Sequence, residues 1–367
     1  MRGKTIVVMT VLVLMLLGLA VHNHSRSAPP VAPKTSDPSA GGAHSNSPRI
    51  ALAAHRTKAQ TDGVPADKNS LTKYLTGKEF VLPKLEPWQV EPFVEANRRS
   101  AGSLLAAFRT TSDPKFLAEA MEKFPNDPRV AYAAAFKPDT TPEERHAWLD
   151  RMKQSDPGNA LGNYLSAYDD FKSGQSAQAL QEMAAAAGKP GWQDYTTDFV
   201  QNSEEAYLAA GYSETEAKAV AAMSSLLPDL SQLKSVGRSL TDLAKSYQTA
   251  GDPASAQAAL QATLNLGEQI NGGAQQPIIT SMVGIAIERL ALDAMDPTAP
   301  YGNTGQTVQD RVNELVQQRK AINNFGRQED ALLGTMSDSE VANYYDRLKT
   351  FGPLPTLQWA VSKYGAQ

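Results

Sequence analysis

Along most of the chain, apolar residues recur every three or four positions, as they do on one face of an amphipathic helix. From about residue 90 to the C-terminus, segments of about 10–20 residues are separated by short polar breaks, and no long alternating strand pattern occurs. Alanine-rich runs at 131–135 and 184–187 add to the helical preference. The pattern predicts an all-α fold over this region.

Local start and stop signals divide the region further. Asp-Pro pairs at 113–114, 127–128, 156–157, 252–253 and 296–297 predict helix starts, because aspartate caps the free amides and proline fits the first helical position. Capping boxes begin at Thr141, Ser213 and Ser337, and Gly174, Gly188, Gly211 and Gly251 occupy predicted helix ends. We predict helices over 90–111, 114–124, 128–136, 142–154, 158–172, 176–187, 191–210, 214–226, 230–250, 253–270, 275–295, 307–325, 328–335, 338–350 and 354–364.

The clearest pattern lies in residues 238–263, where two short amphipathic helices flank a turn at Gly251. Small residues at Ala244 and Ala256 allow the two helices to approach closely, and large ones fill the space around them. The positions that carry the pattern are Leu240, Leu243, Ala244, Tyr247, Gly251, Ala256, Leu260 and Thr263. This unit resembles a tetratricopeptide repeat. A second, weaker match uses Ala167, Gly174, Ala179, Met183 and Ala186, and departs from the pattern at Asn163, Ser166 and Asp170.

The resemblance implies an antiparallel helix-pair solenoid over residues 90–270, followed by a helical cap over 271–367. It also implies that the first helix of each unit lines a concave binding surface. The side chains implicated on this surface are Tyr164, Tyr168, Lys172, Arg238, Thr241, Lys245 and Gln248. Tyrosine mixed with basic side chains suits an extended acidic peptide. An irregular helical bundle is the alternative architecture.

The N-terminus predicts export. Arg2 and Lys4 precede residues 5–21, which carry no charge and would form a helix about 25 Å long, near the minimum for a bilayer. With the basic flank in the cytoplasm, the rest of the chain is placed outside. Residues 1–24 are therefore interpreted as a signal anchor or as a cleaved signal peptide, which would leave the protein on the inner membrane or free in the periplasm.

The next segments are predicted to be a tether and a strap. Residues 25–65 are rich in Ser, Pro and Ala and are interpreted as a disordered linker, while residues 66–90 are transitional, with Leu85 and Trp88 among the side chains expected to pack on the first helix. Residues 1–63 carry seven basic and two acidic residues, so the remainder has a net charge of −9. An acidic folded region disfavours nucleic-acid binding.

Residues 277–295 are nearly all apolar apart from Glu288 and Arg289. This composition predicts a central buried helix rather than a membrane span. The two charges are expected to snorkel or to form ion pairs with neighbouring helices. The polar segment after Thr307 suits a terminal helix that caps the array.

Candidate chemistry is sparse. His146 is the only histidine after residue 55 and lies on a charged helix, which is typical of a solvated surface side chain. The sequence contains no cysteine, no zinc-peptidase motif, no phosphate loop and no nucleophile elbow. We therefore expect no enzymatic activity and no cofactor or metal.

The combined pattern predicts a membrane-tethered scaffold or adaptor that binds a protein or peptide partner in the bacterial envelope. One alternative is an α-helical envelope enzyme or glycan-binding protein that acts on cell-wall polymers. Another is a structural helical domain without a separate ligand.

Overall fold

A computed structural model describes residues 82–224, 227–272, 277–302, 305–333 and 335–365, and this part of the chain is almost entirely helical. The helices are α1 Pro87–Ala96, α2 Ala101–Thr111, α3 Pro114–Lys123, α4 Pro128–Ala135, α5 Pro142–Ser155, α6 Leu161–Lys172, α7 Ser176–Ala187, α8 Thr196–Ala209, α9 Glu214–Met223, α10 Pro228–Thr249, α11 Pro253–Asn271, α12 Ile278–Leu292, α13 Val308–Leu333, α14 Asp338–Phe351 and α15 Pro353–Tyr364. Two strands, β1 Pro300–Tyr301 and β2 Gln306–Thr307, pair in antiparallel fashion between α12 and α13.

Most of the predicted helix signals act as expected. All three capping boxes form, at Thr141, Ser213 and Ser337. Three of the five Asp-Pro pairs begin helices, because Asp113, Asp127 and Asp252 each accept a hydrogen bond from a backbone N–H in the first turn of α3, α4 and α11 respectively.

The other two Asp-Pro predictions are wrong because the carboxylates serve different partners. Asp156 accepts hydrogen bonds from the Asn159 side chain at 3.1 Å and from the Tyr195 hydroxyl at 2.8 Å, and α6 begins only at Leu161. Asp296 accepts from the backbone N–H of Thr298 at 2.8 Å and closes a turn that leads into the hairpin. Both aspartates organise loops instead of starting helices.

The first predicted helix, 90–111, is divided into α1 and α2. Arg98 and Arg99 adopt left-handed backbone angles, with φ of 54° and 48°, and Ser100 then caps α2. Arg99 forms ion pairs with Glu91, Glu95 and Glu119, at 2.7 Å to Glu95 and 2.5 Å to Glu119. These ion pairs hold the arginine in a conformation that glycine usually adopts.

The predicted break between residues 325 and 328 is also wrong, since α13 is continuous from Val308 to Leu333. Phe325 is buried with Tyr344 and Leu357 in a core formed by the C-terminal helices. This packing from outside α13 stabilises the helix across the point at which the sequence pattern weakens.

The predicted close approach of α10 and α11 is confirmed at its two alanines, because Ala244 and Ala256 are both buried. A closer approach of two backbones lies between α11 and α12. A Cβ atom at Gly267 would lie 2.9 Å from the Gly284 carbonyl oxygen, and one at Gly284 would lie 2.8 Å from the Gly267 carbonyl oxygen. Only glycine at both positions allows the two backbones to touch.

Packing also joins helices that are distant in sequence. Helix α8 packs against α1 and α2, α10 packs against α6 as well as α11 and α12, and α9 packs against α14. Two lysines fasten α14, with Lys349 of α14 2.5 Å from Glu204 of α8, and Lys218 of α9 2.6 Å from Asp346. The N-terminal, central and C-terminal helices are thereby connected by more than contacts between sequence neighbours.

The N-terminal strap is described from Leu82 onward. Leu85 is buried and its backbone N–H donates to the Thr110 carbonyl at 2.9 Å, whereas the carbonyl of Pro83 accepts from the Tyr207 hydroxyl at 2.8 Å. Trp88, which was expected to pack, lies in the first turn of α1 and is instead 73% exposed.

The signal or anchor over residues 1–24 and the linker over 25–65 lie outside the described residues. Among the helices that the structure describes, none is both long and apolar enough to cross a bilayer. The buried helix expected over 277–295 corresponds to α12, which is buried along most of its length.

Candidate functional site

The predicted concave residues lie on α6 and α10, but two of them are buried. Tyr164 is 1% exposed and its hydroxyl donates to the side chain of Gln269 on α11. Thr241 is 5% exposed and its hydroxyl donates to the Gly237 carbonyl of its own helix at 2.8 Å. Neither side chain offers a surface to a partner, because each is occupied by helix packing.

The other five predicted residues differ in exposure. Tyr168 is half-buried against the main core, while Lys172, Arg238, Lys245 and Gln248 are exposed. Lys245 lies 3.2 Å from Asp242, one turn away on the exposed side of α10. Exposed pairs of this kind are weak, so the amine of Lys245 remains accessible to an acidic partner.

The sequence pattern did not identify Lys234 as a candidate site residue. Lys234 is buried one turn before Arg238 on α10. Burial, followed by repulsion from Arg238, lowers the pKa of the Lys234 amine to about 8. The spacing of two cations by four residues was the available signal, and it places both on one side of α10.

A second accessible surface lies at the C-terminus. We call it the C-terminal aromatic surface, and its residues are Arg347, Phe351, Leu354, Trp359, Val361, Lys363 and Tyr364. The guanidinium carbon of Arg347 lies 4.8 Å from the centre of the Phe351 ring and 4.5 Å from that of Trp359. The Lys363 amine lies 5.4 Å from the Trp359 ring and 4.8 Å from Tyr364. Cations and rings therefore alternate across α14 and α15.

The turn between α14 and α15 creates this arrangement. Gly352 has a φ of 78°, which reverses the chain and brings α15 back against α14. Helix α15 buries Thr356, Leu357 and Ala360, whereas Leu354 is 54% and Val361 is 39% exposed. Its exposed side therefore combines apolar residues with Gln358 and Lys363, whereas the polar cap was predicted for the segment after Thr307, which forms α13.

The C-terminal aromatic surface could have been found in the sequence. Arg347 and Phe351 are four residues apart, as are Trp359 and Lys363, and this spacing places each cation over a ring on the same side of a helix.

A third feature is buried and consists of ionisable groups. We call it the buried acid cluster, and its residues are Arg109 of α2, Tyr132 of α4, Asp194 in the segment before α8, and Asp229 in the first turn of α10. The Tyr132 hydroxyl donates to Asp229 Oδ1 at 2.8 Å, and Asp194 Oδ1 accepts from the Thr196 backbone N–H at 3.0 Å. Asp229 is 0% and Asp194 is 8% exposed.

Aromatic rings surround the buried acid cluster. Tyr132 lies 5.0 Å from Phe136, 6.0 Å from Tyr195 and 5.8 Å from Phe199, measured between ring centres. The guanidinium carbon of Arg109 lies 4.5 Å above the Phe199 ring. The cluster therefore adjoins a group of four aromatic rings that includes its own Tyr132.

This environment shifts the titration of each member. Burial, reinforced by the charge of Asp194, raises the pKa of Asp229 to about 7. Burial also raises the pKa of Asp194 and lowers the pKa of Arg109. Burial is the largest cause for Tyr132 as well, with Asp229 next, and its pKa lies well above the ordinary value.

The two charges predicted inside the apolar helix are paired in different ways. Glu288 is buried and accepts hydrogen bonds from Arg311 of α13 and, at 3.1 Å, from Asn271 of α11. The expected pairing with another helix is thus confirmed for Glu288. Arg289 instead lies 2.5 Å from Asp293, the residue that follows the last residue of α12.

His146 is exposed and lies 3.5 Å from Asp150, as expected of a solvated surface histidine. Among the described residues, no three His, Asp or Glu side chains are grouped to hold a metal ion. Comparisons with known protein families, with curated proteins and with solved structures find no match to this chain.

Proposed function

We propose that this protein is an exported, membrane-tethered helical-repeat protein that acts as a scaffold or adaptor in the cell envelope. The observation that carries the proposal is the C-terminal aromatic surface, where the exposed Phe351, Leu354, Val361 and Lys363 adjoin the half-buried Arg347, Trp359 and Tyr364. Aromatic residues and arginine supply most of the binding energy in protein interfaces.

The chemistry of this surface defines the partner. Leu354 and Val361 offer apolar contacts, while Arg347 and Lys363 lie over aromatic rings. An acidic protein segment with apolar anchor side chains complements both features. The exposed Arg238 and Lys245 of the tetratricopeptide-like pair α10–α11 provide a second basic surface for the same partner.

In-cell crosslinking tests the proposed docking surface directly. A photoreactive amino acid at Leu354 in the full chain should give one discrete crosslinked product in envelope fractions. The product should be lost when Trp359→Ala is added. Trp88 is the matched control position, since it is exposed and aromatic but lies at the other end of the described chain. The absence of a discrete product at Leu354 would overturn the proposal.

A charge-reversal pair separates the two surfaces. Arg238→Glu with Lys245→Glu should weaken capture of the crosslinked partner if α10 contributes to binding, and leave it unchanged if the C-terminal aromatic surface acts alone.

An acidic peptide of alternating glutamate and leucine, tested against the purified chain, should change the fluorescence of Trp359. The same peptide with lysine in place of glutamate should not.

Localisation to the envelope rests on residues 5–21 of the sequence. Membrane fractionation and the mass of the mature N-terminus test it together. A full-length N-terminus in the membrane fraction supports a signal anchor, and a chain that begins near residue 21 in the periplasm supports a cleaved signal peptide. A full-length chain in the cytoplasm would contradict export.

The alternative, an enzyme acting on cell-wall polymers, needs an acid that reaches its substrate. Asp229 and Glu288 have strongly raised pKa values, but both are 0% exposed. Their burial is the reason why we favour an interaction protein over this alternative.

A further inference from the structure

Two lysines are buried among the described residues, and they differ in their counter-ions. Lys218 of α9 is 5% exposed, and its amine lies 2.5 Å from Glu214 and 2.6 Å from Asp346. Lys234 of α10 is 6% exposed, yet within the described part of the chain its amine makes no hydrogen bond and no ion pair. A buried ammonium without an anion is unfavourable, so Lys234 has the environment of one half of an ion pair.

Arg238 adds a second cation to the same side of α10. Both residues lie within this helix, and their spacing of four places the two Cβ atoms about 5–6 Å apart. Arg238 is exposed, and among the residues that the structure describes no carboxylate pairs with it. Asp242, four residues further on, lies 3.2 Å from Lys245 instead. Two neighbouring positive charges are therefore left without an acid.

The packing of α10 on α12 forms an apolar wall beside these cations. A Cβ atom at Gly237 would lie 2.9 Å from Ile287 and 3.5 Å from Leu290, so the glycine lets α12 approach the turn that separates Lys234 from Arg238. An apolar neighbour of this kind reduces the screening of charge by water and strengthens attraction for an anion. The exposed Arg238 leaves the site open to solvent on its other side.

The number of charges selects the kind of anion. The Lys234 amine is still protonated at neutral pH, because burial and Arg238 lower its pKa only to about 8. A phosphate group carries about −1.5 to −2 charges at pH 7 and several acceptor oxygens, whereas a carboxylate carries one charge. Arginine and lysine are both common phosphate ligands.

We propose that Lys234 and Arg238 bind a phosphate dianion, either free or as the phosphate monoester of a lipid headgroup. The inference goes beyond the proposed function and does not rest on it, because no residue of the C-terminal aromatic surface takes part. Lys245 takes no part either, since its amine is next to Asp242. Failure at this site would leave the proposed docking surface intact.

Calorimetric titration of the full chain with inorganic phosphate at pH 7.5 tests the site. Phosphate should bind saturably, and acetate at the same ionic strength should not. Lys234→Met and Arg238→Gln should each weaken phosphate binding by about tenfold or more, because each removes a charge-assisted hydrogen bond. Lys245→Met, which removes the same charge from an exposed position of α10, should change it less than twofold.

The stability of the variants separates lost binding from lost folding. In phosphate-free buffer, Lys234→Met should unfold at a urea concentration no lower than the wild type, because it removes an uncompensated buried charge. Arg238→Gln alters an exposed side chain and tests the site independently. The proposal would be overturned by the absence of saturable phosphate binding, or by an equal loss of binding in Lys245→Met.

Chemical labelling locates the anion, and vesicles identify its source. Phosphate should slow the reductive methylation of Lys234, followed by mass spectrometry, and leave that of Lys245 unchanged. Equal methylation of Lys234 with and without phosphate would contradict the assignment. Stronger retention of the full chain on phosphatidic acid vesicles than on phosphatidylcholine vesicles, lost in Arg238→Gln, would identify a lipid headgroup. Equal retention together with binding of inorganic phosphate would identify free phosphate.

Discussion

Two buried acids in this molecule face opposite situations. Glu288 on α12 is hydrogen-bonded to Arg311 and Asn271, whereas Asp229 on α10 receives one side-chain hydrogen bond, from Tyr132. Burial raises the pKa of both carboxyls, but Arg311 and Asn271 oppose the shift at Glu288, and the Asp194 charge adds to it at Asp229. Of these two acids, one is therefore paired with a cation and the other is hydrogen-bonded only to a neutral side chain among the described residues.

The two solutions have different consequences. An ion pair such as Glu288–Arg311 fixes one arrangement of α12 and α13, and removal of either partner leaves an uncompensated charge. At Asp229, the only side-chain partner within the described residues is the Tyr132 hydroxyl, so no cation balances its charge there. Because burial raises the pKa of Glu288 as well as that of Asp229, stability at both sites is expected to depend on pH.

The largest expected effect is at the ion pair. Arg311→Met should reduce the free energy of unfolding by about 3–5 kcal/mol, because Glu288 then remains buried without its cation. Urea unfolding at pH 7 measures the loss. The double variant with Glu288→Met should recover most of it, and a double variant as unstable as the single one would mean that the pair is not the cause.

A substitution at Gly267 would overpack the contact between α11 and Glu288. A Cβ atom at Gly267 would lie 2.5 Å from Glu288 Cγ and 2.6 Å from its backbone nitrogen. Gly267→Ala should cost about 1–3 kcal/mol of unfolding free energy, because α11 and α12 must separate. Gly251→Ala is not a suitable control, since Gly251 has a φ of 77°, whereas Gly188→Ala meets no close contact and should have a small effect.

At the second acid, Tyr132→Phe removes only the hydroxyl. The free energy of unfolding should fall by about 1–2 kcal/mol, since one oxygen of a buried carboxyl loses its donor. The loss should grow as the pH rises from 5 to 8, because the acceptor becomes charged. Tyr207→Phe is the matched control, as its hydroxyl donates to a neutral carbonyl, and its effect should not vary with pH.

The smallest expected effect is at an exposed acid. Hydrogen bonds from Ser255 lower the pKa of Asp252, so the stability that this cap supplies is present at neutral pH and is lost as the pH falls through its lowered value. Asp252→Asn should therefore flatten the acidic limb of the stability profile only. A difference in stability between that variant and the wild type that varies between pH 5 and pH 7 would contradict the distinction between the exposed Asp252 and the buried Asp229.

The sequence predicted the helices well where the signals are local. Thr141, Ser213 and Ser337 cap helices because each finds its partner three residues away. The left-handed Arg98 and Arg99 could not be predicted, since the conformation depends on Glu119, which lies on another helix. The continuity of α13 likewise depends on the burial of Phe325 by α14 and α15.

The candidate site was less predictable for the same reason. Tyr164 has the spacing of a surface position in a repeat unit, but its hydroxyl reaches Gln269 on α11. Gly237 brings α10 so close to α12 that a Cβ atom there would lie 2.9 Å from Ile287, and this contact covers the side of α10 near Thr241. A single repeat unit contains no information about contacts with such distant helices.

The crossing at Gly267 and Gly284 limits how this protein can diverge. Because the two backbones touch there, random mutagenesis followed by selection for soluble protein should recover almost no substitutions at either position. Positions on the exposed side of α11, such as Gln261 and Asn265, should accept many substitutions. Descendants of this chain are therefore expected to vary in surface residues long before they change this pair.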